Sequence, residues 1–217
     1  MISRTHHRPY NAINRLEVLL RKLALVAPLF AFLSFAQFAS AQQGDVFFGG
    51  GTLESSSASS GSNPSMSGGT YLNLGGDVVA FKRFGVNVET AWLATQNVYG
   101  TGTGLNYRPI LTDFNFLYQP HLGKRIGLDL MAGIGAGDTR IYQQGVSCTQ
   151  CYNSSDHFMT HLGGGVRFYV WRHVFVRPEV HYYYILNNNS LTDNGYFNSN
   201  SAVRVGASVG YTFGGSD

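Results

Sequence analysis

The sequence predicts an all-β chain, an eight-stranded antiparallel up-and-down barrel, and three observations carry that reading. Only 12% of the 217 residues are charged, against 44% hydrophobic and 14% aromatic. Soluble domains average about 25% charged residues, so this chain hides or coats much apolar surface. Eight stretches then alternate or are rich in aromatic and β-branched residues: 45–53, 70–81, 84–95, 107–119, 126–141, 157–170, 174–186 and 201–213. None sustains a helical period of 3.6. Finally, the connections alternate between long (54–69, 96–106, 142–156, 187–200) and short (82–83, 120–125, 171–173). A closed meander with an even strand count does this, with long loops at one end and short turns at the other. The aromatic content excludes a disordered chain, and a single long apolar run excludes a helical membrane bundle.

That run is Leu23 to Phe38, between the basic pair Arg21-Lys22 and the small residues Ala39-Ser40-Ala41. Basic flank, apolar stretch and A-x-A site read as a secretory signal peptide over 1–41, cleaved after Ala41, with the barrel domain over 42–217. A membrane anchor is the other reading, but the run is 16 residues, includes Pro28, Ser34 and Gln37, and is short for a span. Residues 1–20 make a long leading segment, which suggests a start near Val18 or a dispensable leader. The leader holds five of the fifteen basic residues and one of the twelve acidic ones, so the remaining chain carries ten against eleven. The basic isoelectric point therefore belongs to the leader, and no nucleic-acid partner is expected. Cys148 and Cys151 are expected to form a local disulfide in an oxidising compartment. Half of a zinc site, with His157 nearby, is the alternative.

Taken in order, the strands sort their side chains onto two faces. The first, 45–53, is read from its aromatics and its glycines at 49–51. In 70–81, Leu72, Leu74, Val78 and Ala80 oppose Asn73 and Asp77. In 84–94, Val86, Val88, Thr90, Trp92 and Ala94 oppose Asn87 and Glu89. In 110–119, Ile110, Phe114, Phe116 and Tyr118 oppose Asp113, Asn115 and Gln119. In 126–136, Leu128, Leu130, Ala132 and Ile134 oppose Asp129 and a run of glycines. In 157–170, Phe158, Leu162, Val166, Phe168 and Val170 oppose His161 and Arg167. In 174–186, Val174, Val176, Val180, Tyr182 and Tyr184 oppose Arg177, Glu179 and His181. In 201–213, Val203, Val205, Val209, Tyr211 and Phe213 oppose Arg204 and Ser208. Each mid-strand charge thus lies opposite the apolar face. Arg108, Asp138 and Arg140 have the other parity but sit at long-loop ends.

Alternation alone fits two geometries: a soluble barrel with its apolar face inward, or a transmembrane barrel with that face outward. Three features favour the membrane. The polar face is rich in glycine (127, 133, 135, 163, 165, 206 and 210), as a narrow interior requires. The apolar face ends in aromatics near the short turns: Phe84, Tyr118, Phe168, Trp171, Tyr211 and Phe213. Charge is scarce, whereas a soluble outer wall is rich in Lys and Glu.

The signal, the eight strands, GGGVRFYVWRHVFVRPEVHYYY at 163–184 and VRVGASVGYTF at 203–213 together resemble the bacterial outer-membrane β-barrel domain family of small OmpA/OmpX-like barrels. The resemblance covers essentially 42–217. It implies a barrel in the outer membrane with both termini periplasmic. Its partners would be outer-membrane lipid and lipopolysaccharide, with the barrel-assembly machinery during insertion. No further domain of the OmpA kind is expected after the barrel. The motifs are pattern-like and carry no catalytic residue.

The candidate site is the lumen. Asp77, Glu89, Asp113, Asp129 and Glu179 are expected there with Arg167, Arg177 and Arg204, and with His161 and His181 close by. An eight-stranded barrel is just wide enough to be filled by side chains, so the cluster reads as an ionic plug; a gated ion path is the alternative. Asp77 is placed to pair with Arg204, and Arg177 and Glu179 share one strand face. No enzyme is expected: His157, His161 and His181 with Ser154, Ser155 or Ser208 do not form a recognisable lipid A-modifying triad. The glycine runs at 49–51, 100–104 and 163–165 lack the helix and Lys-Ser/Thr of a phosphate loop. No cofactor or metal is expected. The loops, with Tyr99, Tyr107, Tyr142, Tyr152, Tyr196 and Phe197 among Asn, Ser and Gly, are a candidate surface for an extracellular ligand. The reading is therefore a structural or surface-interactive outer-membrane barrel. A small passive porin is second; a soluble lipocalin-like binder or a lipid A-modifying barrel enzyme is third.

Overall fold

The computed structural model describes residues 43–55, 66–99, 104–143, 152–186 and 199–214. The signal segment 1–41, Cys148, Cys151, Tyr196 and Phe197 lie outside these. Nine strands are described: β1 (Gln43–Ser55), β2 (Thr70–Phe81), β3 (Phe84–Leu93), β4 (Asn97–Tyr99), β5 (Leu105–Tyr118), β6 (Ile126–Gln143), β7 (Tyr152–Tyr169), β8 (Val174–Ile185) and β9 (Ser201–Gly214). Neighbours pair antiparallel around the sheet, β1 pairs β9, and β3 pairs β5, so the sheet closes. Eight strands form the wall. β4 is a short continuation of the third, resuming after Ala94–Gln96 to pair with Leu105–Tyr107. The third strand thus ends at Leu93 rather than at residue 95. β6 and β7 instead run further toward the long-loop end than the alternation indicates, pairing as far as Tyr142↔Tyr152.

Register places Gln43 opposite Gly214, so the first strand begins and the last strand ends at the short-turn end. Closure leaves the eight-stranded wall without a free edge among the described residues, apart from the short β4, which pairs only with β5. The side-chain period of two then gives one face to the lumen and one to the outside. Phe48, Leu74, Phe114, Phe116, Ile134, Leu162, Val205 and Val209 point outward, each more than half exposed. Aromatics close this band at the short-turn end, where Phe84 stacks on Tyr118 (4.9 Å between ring centroids) and Tyr211 meets Phe213 (4.9 Å).

The interior is layered. Near the long-loop end, Leu53, Met66, Tyr71, Leu93, Leu111, Met159, Tyr183, Ile185 and Ala202 form a buried apolar cap. Met66 comes from the first long connection and is held by the Tyr71 hydroxyl, which donates to its carbonyl at 2.7 Å. Near the short-turn end Val79, Leu117 and Met131 form a smaller apolar group. Between the two lies the charged layer.

Candidate functional site

Six carboxylates and three arginines are buried in the described lumen: Asp45, Asp77, Glu89, Asp113, Asp129 and Glu179 with Arg167, Arg177 and Arg204. Each arginine reaches several carboxylates. Arg167 on β7 donates to Asp129 on β6 through Nε (2.7 Å), to Asp45 on β1 (2.5 Å) and to Asp77 on β2. Arg177 on β8 donates to Glu179 (2.8 Å) and Asp129 (3.1 Å), approaches Asp77 at 3.4 Å, and lies 3.8 Å from Glu89. Arg204 on β9 bridges Glu89 on β3 and Glu179, the latter at 3.3 Å. A planar guanidinium carries five donors in a fixed fork, which suits one residue to tie several strands together across a narrow bore. Removing one of the three arginines would leave carboxylates uncompensated in a low-dielectric interior.

Two aromatic rings complete the arginine seats. Arg177 lies 4.0 Å from the centroid of Phe47, and Arg167 lies 4.3 Å from that of Phe175. The rings have room because glycines stand beside them. A Cβ on Gly75 would strike the Phe47 ring, and one on Gly210 the Phe175 ring.

A second set of hydrogen bonds runs round the barrel at one level. The Asp77 carboxylate, held by two arginines, can only accept. Asn87 therefore donates to it (2.6 Å), and the Asn87 carbonyl oxygen accepts from Asn115 (2.7 Å). Asn115 also donates to Asp113. The Asn115 oxygen then faces His161 Nδ1 at 2.6 Å, so that nitrogen carries the hydrogen. His161 Nε2 lies 2.9 Å from His181 Nδ1. His181 Nε2 ends the series 3.6 Å from Glu179. Register explains the span: Asn115 is opposite Gly133, and Gly133 is opposite His161. Only the missing side chain at 133 lets the amide and the imidazole meet.

The nine lumenal residues named from sequence are all buried inside the barrel and form a single network. One expected pair is corrected. Asp77 meets Arg167 and Arg177 rather than Arg204, because barrel stagger brings β7 and β8 side chains across to β2 at that height. Phe175, which shares the charged face of its strand in the sequence, also belongs to the network, as do Asp45 and Phe47, which the sequence reading misses. Parity in β1 carries the missing signal, since Val46 and Phe48 point out and Asp45 and Phe47 point in.

Glu89, Glu179 and His181 each bring a ligand atom within 4.8 Å of the others. Arg204 Nη2 already bridges the two glutamates, so positive charge is supplied there by guanidinium. Ser208 donates its hydroxyl to Glu179 (2.9 Å), and His161 and His181 engage each other. Ser154 is exposed, whereas His157, on the same strand, is buried. At the long-loop end, Arg140 pairs with Asp138 (3.0 Å) and lies over Tyr152 (4.9 Å), on the outward face.

Among solved structures, the chain is similar to Neisserial surface protein A, with 14% identity, a TM-score of 0.56, and coverage of 78% of this chain and 97% of that one. It is also similar to a major outer membrane protein from Thermus thermophilus (14% identity, TM-score 0.53, coverage 79% and 99%). A third is Ail, the attachment invasion locus protein of Yersinia pestis, in complex with the heparin analogue sucrose octasulfate (12% identity, TM-score 0.51, coverage 79% and 98%). At these identities the likeness concerns the fold. No curated protein matches the sequence. The model of the outer membrane protein beta-barrel domain matches residues 25–213. With its closed wall, outward apolar band and charged interior, the chain belongs to the outer membrane protein beta-barrel domain family, whose location is the outer membrane.

Proposed function

We propose that this barrel is a structural and surface-interactive component of the outer membrane, with a closed lumen and no catalytic role. In this reading residues 1–41 direct export and are removed. The short-turn end faces the periplasm with both barrel termini, and the long loops face outward. The observation that carries the closed lumen is the layering: three arginines among six carboxylates, with an apolar cap on the long-loop side. A hydrated ion has no continuous wet path through such a filling.

The loops are then the surface available for recognition. Ail, a fold relative, carries "attachment" in its name and has a structure in complex with the heparin analogue sucrose octasulfate, which supports extracellular sugar or receptor contact as the kind of role to test here. Replacing 96–106 and 187–200 by short turns is expected to lower cell adhesion while leaving the heat-modifiable gel shift intact; unchanged adhesion removes the surface role. The channel reading predicts the opposite in planar bilayers. Wild type is expected to show no steady nanosiemens-scale pore, and Arg177→Ala to lose about 3–5 kcal/mol of stability as a broken buried ion pair without gaining conductance. Large steady openings in wild type would replace the plug by a porin.

A further inference from the structure

The short-turn end carries a charge pattern that the plug does not use. Lys82 and Arg83 make the β2–β3 turn, Lys124 and Arg125 close the turn before β6, and Arg172 lies in the turn before β8. All five are exposed, and none forms an ion pair among the described residues. Every lumenal arginine, by contrast, has two or more carboxylates. No Asp or Glu lies in these three turns. Lys82 also stands at φ 53°, a left-handed position where two-residue hairpins prefer Asn or Gly. Lys82 thus occupies a position whose backbone conformation disfavours a side chain of its kind.

The cations are interleaved with exposed apolar side chains that continue the outward wall: Phe81 (65% exposed), Leu122 (65%), Val170 (64%) and Trp171 (77%). A cavity of about 740 Å³ opens at the short-turn mouth of the barrel, lined by Lys124, Arg125 and Arg172 on the turns and by Gln43, Tyr169 and Thr212 on its inner side. Cation beside aromatic, at the edge of a lipid-facing band, is the arrangement of a membrane–water interface. A site for a soluble acidic peptide would need the positive charge but not the exposed Phe81, Leu122 and Trp171.

We propose that this ring binds the headgroups of anionic phospholipids in the leaflet at the short-turn end, with one phosphodiester seated between Lys124, Arg125 and Arg172. The proposal rests on the barrel spanning the membrane. The cations draw the phosphates to the rim by Coulomb attraction, and Trp171 and Leu122 hold the glycerol and upper acyl region beside them. Each exposed cation near an anionic surface strengthens retention about fivefold.

The test uses the full barrel in nanodiscs of phosphatidylcholine with a minor share of phosphatidylglycerol, with lipids retained after gentle detergent release counted by native mass spectrometry. Wild type is expected to keep phosphatidylglycerol in excess over its bulk share. Arg172→Gln is expected to lose about fivefold of that excess, and the combined K124Q/R125Q/R172Q variant to lose it entirely. The R108Q/R140Q variant, altered at the other end, keeps it. These turn positions are exposed, and an unchanged heat-modifiable shift certifies folding. Equal retention of the two lipids by wild type overturns the proposal. So does an undiminished preference in the triple variant, or binding of a short polyglutamate peptide in pure phosphatidylcholine discs with no phosphatidylglycerol preference. Failure to enter even pure phosphatidylcholine discs would instead overturn the spanning barrel itself, and the lipid site with it.

Discussion

The guanidinium of Arg177 on β8 lies 4.0 Å from the ring centroid of Phe47 on β1, two strands away round the barrel, while its edge faces Glu179 and Asp129. One cation is therefore held by charge along its edge and by a π face on its flat side. Phe47→Leu keeps most of the apolar volume and removes the ring, and is expected to cost about 2 kcal/mol, the desolvated cation–π value. A double-mutant cycle with Arg177→Met, read by urea unfolding in detergent, is expected to show coupling of that size. Additive effects would assign Phe47 to plain packing.

Gly133→Ala tests the hydrogen-bonded series from Asp77 to His181. The new methyl would meet the Phe114 carbonyl and the Asn115 amide oxygen, in the gap through which Asn115 reaches His161. The expected loss is about 1–3 kcal/mol, the cost of overpacking or of a buried polar group left without a partner. The ring-nitrogen NMR signals of His161 report it directly, since its Nδ1 then loses the acceptor that fixes its tautomer. An unchanged His161 spectrum would mean that the series is not continuous.

Val180 and Val205 face each other across β8 and β9 on the outward side, 49% and 56% exposed. In water these would be tolerant positions. In a bilayer, Val205→Arg near mid-height is expected to cost about 2–4 kcal/mol, whereas Val205→Leu is nearly neutral. The comparison is made by unfolding from lipid vesicles, and equal stability of the two variants would place this face in water.

Much of the barrel is legible along the chain because strand side chains alternate with period two. Val203 to Phe213 reads as one lipid face and Arg204 to Thr212 as one lumenal face without any coordinates. Glycines 133, 163 and 165 are legible as interior residues but not as necessities. Their reasons lie mostly on other strands: the Asn115–His161 bridge beside Gly133, the stacked His161 and His181 rings beside Gly163, and the Arg177 stem against Gly165. The break at Ala94–Gln96, which separates β3 from β4, also has no strong local signal.

The sequence by itself determined the strand count, the long and short ends, and, outside β1, which charged side chains share the lumen, because each of these follows from local period and turn chemistry. It did not determine which acid meets which arginine. Asp77 and Arg204 are compatible in charge and lie near the joined first and last strands, yet Asp77 takes Arg167 and Arg177. Strand stagger sets the height at which each side chain enters the bore, and that stagger comes from closing β1 onto β9, a pairing that exists only once the whole sheet is assembled. The same closure brings the five cations of the short turns onto one rim, where they stand without carboxylate partners among the described residues.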